Sequence, residues 1–385
     1  MKFKTNLIIA FAAIYSFSCS EEKEAEKSST PLSAQNLEFE IYDSLVVDYL
    51  GNLMLLDISP DKQNFLLMDQ SNGEILITDP NGNILHQYNR SGEGPEDYNG
   101  GRSGNVVFLT NEEFLIPTTR EIIQYDLEGN LIRRLKPEFQ GFANLIISFS
   151  KAVIKNGDNL YLKIQGRHPD SGDLNTYTNL EKVNINTGEY EPIVPFPKTS
   201  KFLVPESEFQ AFDYHPTFEV EGDSLYIIFR NEPVLYSYSL NDLSSPAYSK
   251  KITFNEFIER NTDAKSDPGS FSIRDFLVGS INNIDKMDDG NFLIYYTSGL
   301  TDDEFKEAES NVDGDFNQIF KNADEFNTVG YVIFDGTSVS PIIEKNDLLS
   351  TIGKFVSTDE IWFNLNFSEV ENDYSVIYKT RLVEE

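Results

Sequence analysis

The chain has 385 residues, of which 63 are acidic and 31 basic, and its formal net charge is −32 at neutral pH. Such a charge opposes binding to nucleic acid and to anionic lipid surfaces. The chain has one cysteine, Cys19, so no disulfide can form within it and its core must suffice alone, which a chain of this length allows.

The first 18 residues have the pattern of a cleaved secretory signal. Lys2 and Lys4 precede a short apolar run at 7–14, and small residues stand at the first and third positions before Cys19. The run is too short to span a bilayer. The placement of Cys19 resembles the lipobox of bacterial lipoproteins, which implies a lipid on the thiol and attachment to a membrane. The alternative is an ordinary signal peptide with an incidental cysteine.

Residues 19–36 are predicted to be the lipidated cysteine followed by a disordered acidic tether. They contain almost no apolar side chains that could pack. Ser20-Glu21-Glu22 resembles the acidic export signal that places lipoproteins of Bacteroidota on the outside of the outer membrane. An outer-membrane location is therefore expected, with the surface and the periplasmic side both open.

From residue 37 onward, short β-branched and aromatic runs alternate with Asn, Asp and Gly, which is typical of strands and turns. Six comparable apolar runs recur every 46–69 residues, at 66–68, 114–116, 160–162, 225–228, 292–295 and 361–363. The shorter spacings fit one four-stranded propeller blade, and the longer ones fit a blade with insertions.

The strands of the second unit are predicted at 105–110, 114–117, 122–126 and 130–135. The last unit offers three strands, at 351–357, 360–366 and 374–382, and residues 37–42 can supply the missing outer strand. Closure of this kind removes exposed sheet edges. The sequence thus predicts an all-β fold, a six-bladed propeller over 37–385 with four-stranded antiparallel blades, closed by its N-terminal strand.

Two units share a turn of the form Asp-x-x-Gly-Asn, beginning at Asp79 and Asp126. An aspartate can hydrogen-bond to its own backbone and glycine tolerates positive φ, so this pattern makes a tight reversal. These aspartates are predicted to be turn residues and not ligands.

The segment Arg90-Ser91-Gly92-Glu93-Gly94-Pro95-Glu96-Asp97-Tyr98 resembles a loop of six-bladed propeller lipoproteins of Bacteroidota, relatives of the TolB-like and NHL-repeat propellers. The similarity covers the whole chain through the lipobox, the tether, the blade period and this loop. Most such proteins have no assigned reaction, so the resemblance implies a fold and a location more than a chemistry.

The long insertions are predicted to gather on one face of the propeller, where binding is expected. They lie at 137–147, 167–177, 196–215, 254–276 and 299–327. Basic side chains collect there too, and converging guanidinium groups would suit a carboxylate or sulfate. The candidate ligand-binding residues are Arg90, Arg102, Arg120, Arg167, His168, Arg230 and Arg274. The alternative is that each arginine pairs with a nearby acid such as Glu121, Asp170 or Glu232.

Enzyme signatures are weak. The three histidines lack metal-ligand spacing, and neither a Gly-x-Ser-x-Gly elbow nor a nucleotide fingerprint occurs. Residues 311–317 alternate oxygen ligands like a calcium loop, but glycine stands at position four and Asn322 at position twelve. No catalytic residue, cofactor or metal ligand is predicted, and calcium remains the alternative cofactor. Residues 301–326 are predicted to form an acidic, partly helical flap.

The leading hypothesis is a lipid-anchored, noncatalytic propeller that binds a ligand or an envelope partner. An extracellular glycan, a peptide or an outer-membrane transport complex would fit this role. The alternative is a propeller enzyme, either a calcium-dependent lactonase or a hydrolase or lyase acting on an acidic glycan. A further alternative is a structural subunit of an uptake complex.

Overall fold

The computed structural model describes residues 32–98, 105–118, 121–139, 151, 153–163, 167, 173–204, 209–260, 272–310, 312, 314–370 and 373–385. Strands dominate these ranges and form six sheets around a central axis. In chain order the strands are β1 (Leu37–Val47), β2 (Leu53–Ile58), β3 (Phe65–Asp69), β4 (Ile75–Thr78), β5 (Ile84–Tyr88), β6 (Val107–Phe108), β7 (Glu113–Pro117), β8 (Ile122–Asp126), β9 (Leu131–Leu135), β10 (Val153–Asn156), β11 (Asn159–Leu162), β12 (Thr178–Asn184), β13 (Tyr190–Pro195), β14 (Pro216–Glu221), β15 (Ser224–Phe229), β16 (Glu232–Ser239), β17 (Tyr248–Lys251), β18 (Ser280–Lys286), β19 (Phe292–Thr297), β20 (Val329–Phe334), β21 (Glu344–Lys345), β22 (Leu349–Ser357), β23 (Glu360–Leu365) and β24 (Ser375–Glu384).

Each blade is built of antiparallel strands, and in blades one to five these strands follow sequence order from the axis outward. Blades one to four consist of β2–β5, β6–β9, β10–β13 and β14–β17. Blade five contains β18–β20, and blade six contains β22, β23, β24 and β1. The predicted six-bladed propeller is confirmed, and the six apolar runs of the sequence are the second strands of the six blades.

The N-terminal strand closes the ring, as predicted. β1 pairs antiparallel with β24 along its length, from Leu37 opposite Glu384 to Val47 opposite Ser375. It is therefore the fourth strand of a blade whose other three strands come from the C-terminal end of the chain. Contact with the propeller begins before β1. Ser33 is buried, and its hydroxyl donates a hydrogen bond to the Asp335 carboxylate at 2.5 Å.

Blade five has an irregular outer edge. Its fourth position is taken by residues 338–343, where the amide of Ser340 donates to the Ile333 carbonyl and that of Ile343 donates to the Tyr331 carbonyl. The chain then continues into β21, which pairs in parallel with β1. Blades five and six are thus joined along their outer strands.

The second and third strands of the blades are largely buried on both faces because each blade is covered by a neighbour on both sides. In β4 and β8, for example, the residues from Ile75 to Thr78 and from Ile122 to Tyr125 are all buried. Outer strands such as β5 alternate between partly buried and exposed residues. This explains why continuous apolar runs, and not alternation, mark the blades in the sequence.

The repeated Asp-x-x-Gly turns join the third strand of a blade to its fourth. The Asp79 carboxylate accepts hydrogen bonds from the amides of Asn81 and Asn83, as turn chemistry requires. Gly82 has φ +82° and lies against Val46, at the outer edge of blade six. Gly129 has φ +80° and lies against the ring of Tyr88 in the preceding blade. These turns therefore also seal the joints between successive blades.

The connections from second to third strands, and from one blade to the next, define the loop face. They contain the three-residue 3-10 helices Leu174–Thr176 and Lys201–Leu203 and the helices α1 (Ile273–Phe276), α2 (Asp302–Glu309) and α3 (Phe316–Ala323). In the part of the chain that the structure describes, no helix is long and apolar enough to cross a membrane.

The helices α2 and α3 form a hairpin between the second and third strands of blade five. The hairpin packs against α1 through a small core that includes Leu277, Leu300 and Ile319. Thr301 and Glu304 form a capping box at the start of α2, and Asp315 caps α3. The helical part of the predicted flap is thus a packed hairpin on the loop face.

Candidate functional site

The six inner strands surround a central channel of about 1110 Å³. On one side of it lies Asp57 of blade one, which is 4% exposed. Its carboxylate accepts hydrogen bonds from Lys354 Nζ of blade six at 2.6 Å and from the Phe108 amide of blade two at 2.7 Å. One aspartate therefore joins three successive blades, and we call this the six-one-two clamp.

The opposite side of the channel has a matching group, the three-four-five clamp. Lys151 precedes the first strand of blade three, and its ammonium contacts Glu219 of blade four and Asp285 of blade five, the latter at 2.6 Å. It also donates to the Ile284 carbonyl at 3.0 Å. Burial tends to lower the pKa of Lys151, but the two carboxylates outweigh it and raise this pKa above its ordinary value.

This pairing bears on metal binding in the channel. The ammonium of Lys151 lies between the carboxylates of Glu219 and Asp285, where a cation would have to bind. Asp57 is likewise occupied by Lys354. Among the described residues, no group of three or more His, Cys, Asp or Glu side chains is arranged to hold a metal ion.

Three of the predicted ligand-binding arginines bind groups of the protein itself. Arg90 donates to the Gly129 carbonyl at 2.7 Å and lies 3.3 Å from Glu96. Arg274 donates to the Leu300 carbonyl and pairs with Asp302 at 3.1 Å, which ties α1 to α2.

Arg167 binds Glu181 through two hydrogen bonds of 2.5 and 2.8 Å. Its guanidinium also lies 4.4 Å from the centre of the Phe139 ring. Such a two-pronged pair is well suited to holding a loop in place. For Arg90, Arg167 and Arg274 the geometry therefore follows the alternative considered above, pairing with local acids and carbonyls.

The glycine loop that carries the family resemblance packs tightly. A Cβ atom at Gly92 or Gly94 would lie 2.7 or 2.5 Å from the Asp97 carboxylate. Arg134 of blade two donates to the Asp97 carbonyl at 2.5 Å. The glycines are therefore explained by close packing within the loop, against the Asp97 side chain.

Several predicted residues lie outside the described part of the chain. They are Cys19, Arg102, Arg120 and His168, and also Asn311 and Asp313 of the candidate calcium segment. In that segment Asp315 accepts hydrogen bonds from the amides of Asn317 and Gln318, because it caps α3.

Arg230 differs from the other arginines. It follows the second strand of blade four, its guanidinium lies 5.8 Å from the centre of the Phe212 ring, and its Nε is buried without a hydrogen-bond partner in the described ranges. Its amide donates to the carbonyl of His215, which precedes the first strand of the same blade. Lys163 occupies in blade three the position that Arg230 has in blade four. We call Lys163, His215 and Arg230 the cationic cluster.

Lys163 and Arg230 follow the second strands of neighbouring blades, and the Arg230 amide donates to the His215 carbonyl, so the three residues lie at the same end of the seam between blades three and four. Burial, together with the positive charges of Lys163 and Arg230, lowers the pKa of His215 to about 3. Burial also lowers the pKa of Lys163 to about 8, although Glu181 acts in the opposite direction. All three side chains remain partly accessible to solvent. At neutral pH the cluster thus contains two positive charges and a neutral imidazole.

Both nearby carboxylates pair with other arginines, and Asp213 Oδ1 alone of their four oxygens has no hydrogen-bond partner among the described residues. Both oxygens of Glu181 accept hydrogen bonds from Arg167. Asp213, which acts on Arg230, pairs with Arg260 Nε at 2.7 Å and accepts a hydrogen bond from the Gln210 amide. Within the described residues, no salt bridge reaches Lys163 or the guanidinium of Arg230. Among the described residues of the loop face, the cluster is therefore the group best suited to an anion.

The sequence pattern predicts Arg230 as a ligand-binding residue but does not predict Lys163 or His215. A signal for Lys163 exists, because aligning the second strands puts Leu160-Tyr161-Leu162-Lys163 beside Ile227-Ile228-Phe229-Arg230. His215 has no comparable signal. Its role depends on the first and second strands of blade four lying side by side.

The state of His215 predicts a pH dependence. In the unfolded chain its pKa is near 6.5, whereas in the folded protein it is about 3. Between these values the unfolded state binds a proton that the folded state does not, so stability is present above pH 6.5 and is lost as the pH falls. From about pH 7.5 to about pH 5, the wild type should lose on the order of 1 kcal/mol more than His215→Gln, after allowance for solvent screening. Urea unfolding at both pH values measures this difference.

A suitable control is His86→Gln in the outer strand β5, which should keep the pH dependence of the wild type. Equal losses in the wild type and in His215→Gln would contradict the prediction.

No family model matches the chain, and no curated protein matches its sequence. Two solved structures cover nearly all of it. A member of the DUF4221 family from Bacteroides vulgatus is 12% identical, with a TM-score of 0.58 over 91% of this chain and 99% of that one. A protein from Bacteroides fragilis that is described as exported is 12% identical, with a TM-score of 0.52 over 92% and 98%. At this identity the likeness shows the propeller fold alone.

Proposed function

We propose that the protein is a lipid-anchored envelope protein whose propeller binds an anionic ligand on its loop face without catalysing a reaction. The observation that carries this proposal is the cationic cluster. Acids outnumber bases by 63 to 31 in this chain, yet Lys163 and Arg230 have no direct ion pair among the described residues. Holding partly buried charges of like sign close together without a partner costs stability, so a ligand that supplies the missing negative charge is a physical reason for the arrangement.

The proposed location rests on the N-terminal sequence. A lipid on Cys19, followed by the acidic tether, would hold the propeller at the outer membrane. The description of the Bacteroides fragilis structure as an exported protein supports this location. We also propose a relationship to the TolB-like and NHL-repeat propellers, on the basis of the glycine loop at 90–98.

The ion pairs between carboxylates and lysines in the channel favour a binding function over a catalytic one. A calcium-dependent lactonase would need carboxylate oxygens that are free to bind the ion. Here Asp57, Glu219 and Asp285 contact lysine ammonium groups instead. The same pairing leaves none of these three carboxylates free to act as a general base.

Thermal unfolding of the purified protein, followed through its one tryptophan, Trp362, tests the binding function. At constant ionic strength, sulfate, acetate or glucuronate should raise the melting temperature, because a ligand that binds the folded state stabilises it. The ligand should be recovered unchanged. Stabilisation by about 1 mM calcium together with turnover of a sugar lactone would instead support the enzyme alternative.

Cell fractionation tests the anchor. Cys19→Ser removes the thiol, so the protein should move from the membrane fraction to the soluble fraction and lose the mass of the attached lipid. An unchanged distribution would contradict lipid attachment at Cys19 while leaving the ligand-binding proposal intact.

A further inference from the structure

The cationic cluster lies where two blades meet. Lys163 follows β11 of blade three, whereas His215 and Arg230 flank β14 and β15 of blade four. The seam between these blades is also crossed by Asn156, whose side-chain amide donates to the Gly222 carbonyl at 2.8 Å. A group that contacts all three members of the cluster would therefore span the seam.

The hydrogen-bonding capacity of the cluster consists largely of donors. The ammonium of Lys163 has three N–H groups, a guanidinium has five, and a neutral imidazole has one. Arg230 Nε is buried and donates to no acceptor in the described parts of the chain. Because buried polar groups nearly always find a partner, an acceptor on a bound ligand would satisfy this donor.

The two carboxylates near the cluster are paired with other arginines. Glu181 is fixed by Arg167, and Asp213 is fixed by Arg260. Arg260 is itself held by Asp275, through a bond of 2.6 Å. Both acids are almost fully buried, so neither can move to neutralise the cluster without leaving another charge unpaired.

We infer that Lys163, His215 and Arg230 form a binding site for the carboxylate or sulfate group of a single small ligand, which bridges blades three and four. This inference rests on the proposed binding function and identifies its site and the chemical class of its ligand. A guanidinium binds a carboxylate or sulfate through two parallel hydrogen bonds, while an ammonium adds a compact charge. The imidazole supplies a further donor.

Isothermal titration with sodium sulfate, sodium acetate and sodium glucuronate tests the site, with sodium chloride keeping the ionic strength constant. The wild type should bind at least one of these anions. Lys163→Gln and Arg230→Gln should each weaken that binding about tenfold or more, as expected for the loss of a charge-assisted contact. The preferred anion distinguishes a sulfate ester from a carboxylate as the natural group.

The matched control is Lys306→Gln. Lys306 lies on α2 of the same face, is 72% exposed and pairs with Asp303. Its replacement removes the same charge from the loop face, so unchanged binding by this variant shows that the effect is local. Arg230→Lys and Lys163→Arg keep the charge and should retain binding that is weaker than in the wild type but stronger than in the glutamine variants. The emission of Trp362 confirms that each variant is folded.

The outcomes separate this site from the general function. If Lys163→Gln and Arg230→Gln bind an anion as tightly as the wild type, the site assignment is overturned while anion binding elsewhere stands. If the wild type binds a neutral glycan or a peptide but none of the three anions, the site is again overturned and a binding function remains. If it binds no ligand at all, the proposed function fails as well.

Discussion

Replacing Lys151 with methionine is expected to lower the free energy of unfolding by about 3–5 kcal/mol. The ammonium of Lys151 contacts Glu219 and Asp285, and the Asp285 side chain is 4% exposed. Methionine fills much of the same space but leaves two carboxylates unpaired at the axis. Urea unfolding followed by Trp362 fluorescence measures the loss.

Lys155→Met is the matched control. Lys155 belongs to β10, four residues further along the chain, but its side chain is exposed. Its replacement should change the free energy of unfolding by less than about 0.5 kcal/mol. A loss of less than 1 kcal/mol for Lys151→Met would show that the three-four-five clamp contributes little.

Gly82→Ala is expected to destabilise the closure of the ring. Gly82 has φ +82°, and a Cβ atom there would lie 1.8 Å from the Val46 carbonyl oxygen of β1. The left-handed conformation alone costs an alanine roughly 1–2 kcal/mol, and the contact with the backbone adds to that cost. The total loss should therefore exceed 2 kcal/mol by a clear margin.

Gly157→Ala separates the two contributions. Gly157 also has positive φ, at +58°, but a Cβ atom there would have no neighbour within 4 Å among the described residues. Gly157→Ala should therefore lower the free energy of unfolding only by the cost of the left-handed backbone conformation. Trp362 lies in the same apolar cluster as Val47 and Phe65, at the joint between blades six and one, so its fluorescence reports on the closure directly. Equal losses in the two variants would mean that the turn does not seal this joint.

Lys151→Met and Gly82→Ala test contacts between blades at two places in the propeller, near the axis and at the rim. Near the axis, the two clamps each connect three blades, and together they include all six. At the rim, the turns with Gly82 and Gly129 lie against the outer strand of the preceding blade. A propeller relies on contacts between neighbouring blades, because no blade can bury both of its faces alone.

The blade pattern was predictable because it depends on local chemistry. The second strands are apolar runs. The turn at Asp79 is specified by the Asp79 carboxylate and by Gly82, which follows closely in the chain. The closing strand was predictable as well, since the last unit lacked a fourth strand and residues 37–42 have a strand-like sequence. The irregular outer edge of blade five was not, because residues 338–343 pair through a few hydrogen bonds without forming a regular strand.

The sequence predicts Arg230 and Arg167 as ligand-binding residues for the same reason, because each comes after the second strand of a blade. In the structure Arg167 binds Glu181, which is 14 residues away along the chain, whereas Arg230 has no such pair in the described residues. Two arginines at similar positions in the sequence thus differ in whether a carboxylate binds them, and the local sequence does not show this difference.

The sequence by itself determined the number of blades, the strand that closes the ring and the turns at its rim, because apolar runs and turn residues act over a few neighbouring positions. The tertiary structure alone decided which charges are neutralised. Lys151 meets Glu219 from 68 residues away, and Asp57 meets Lys354 from 297 residues away. Partners so distant are brought together by the closed ring, and the same ring leaves Lys163 and Arg230 without a salt bridge among the described residues.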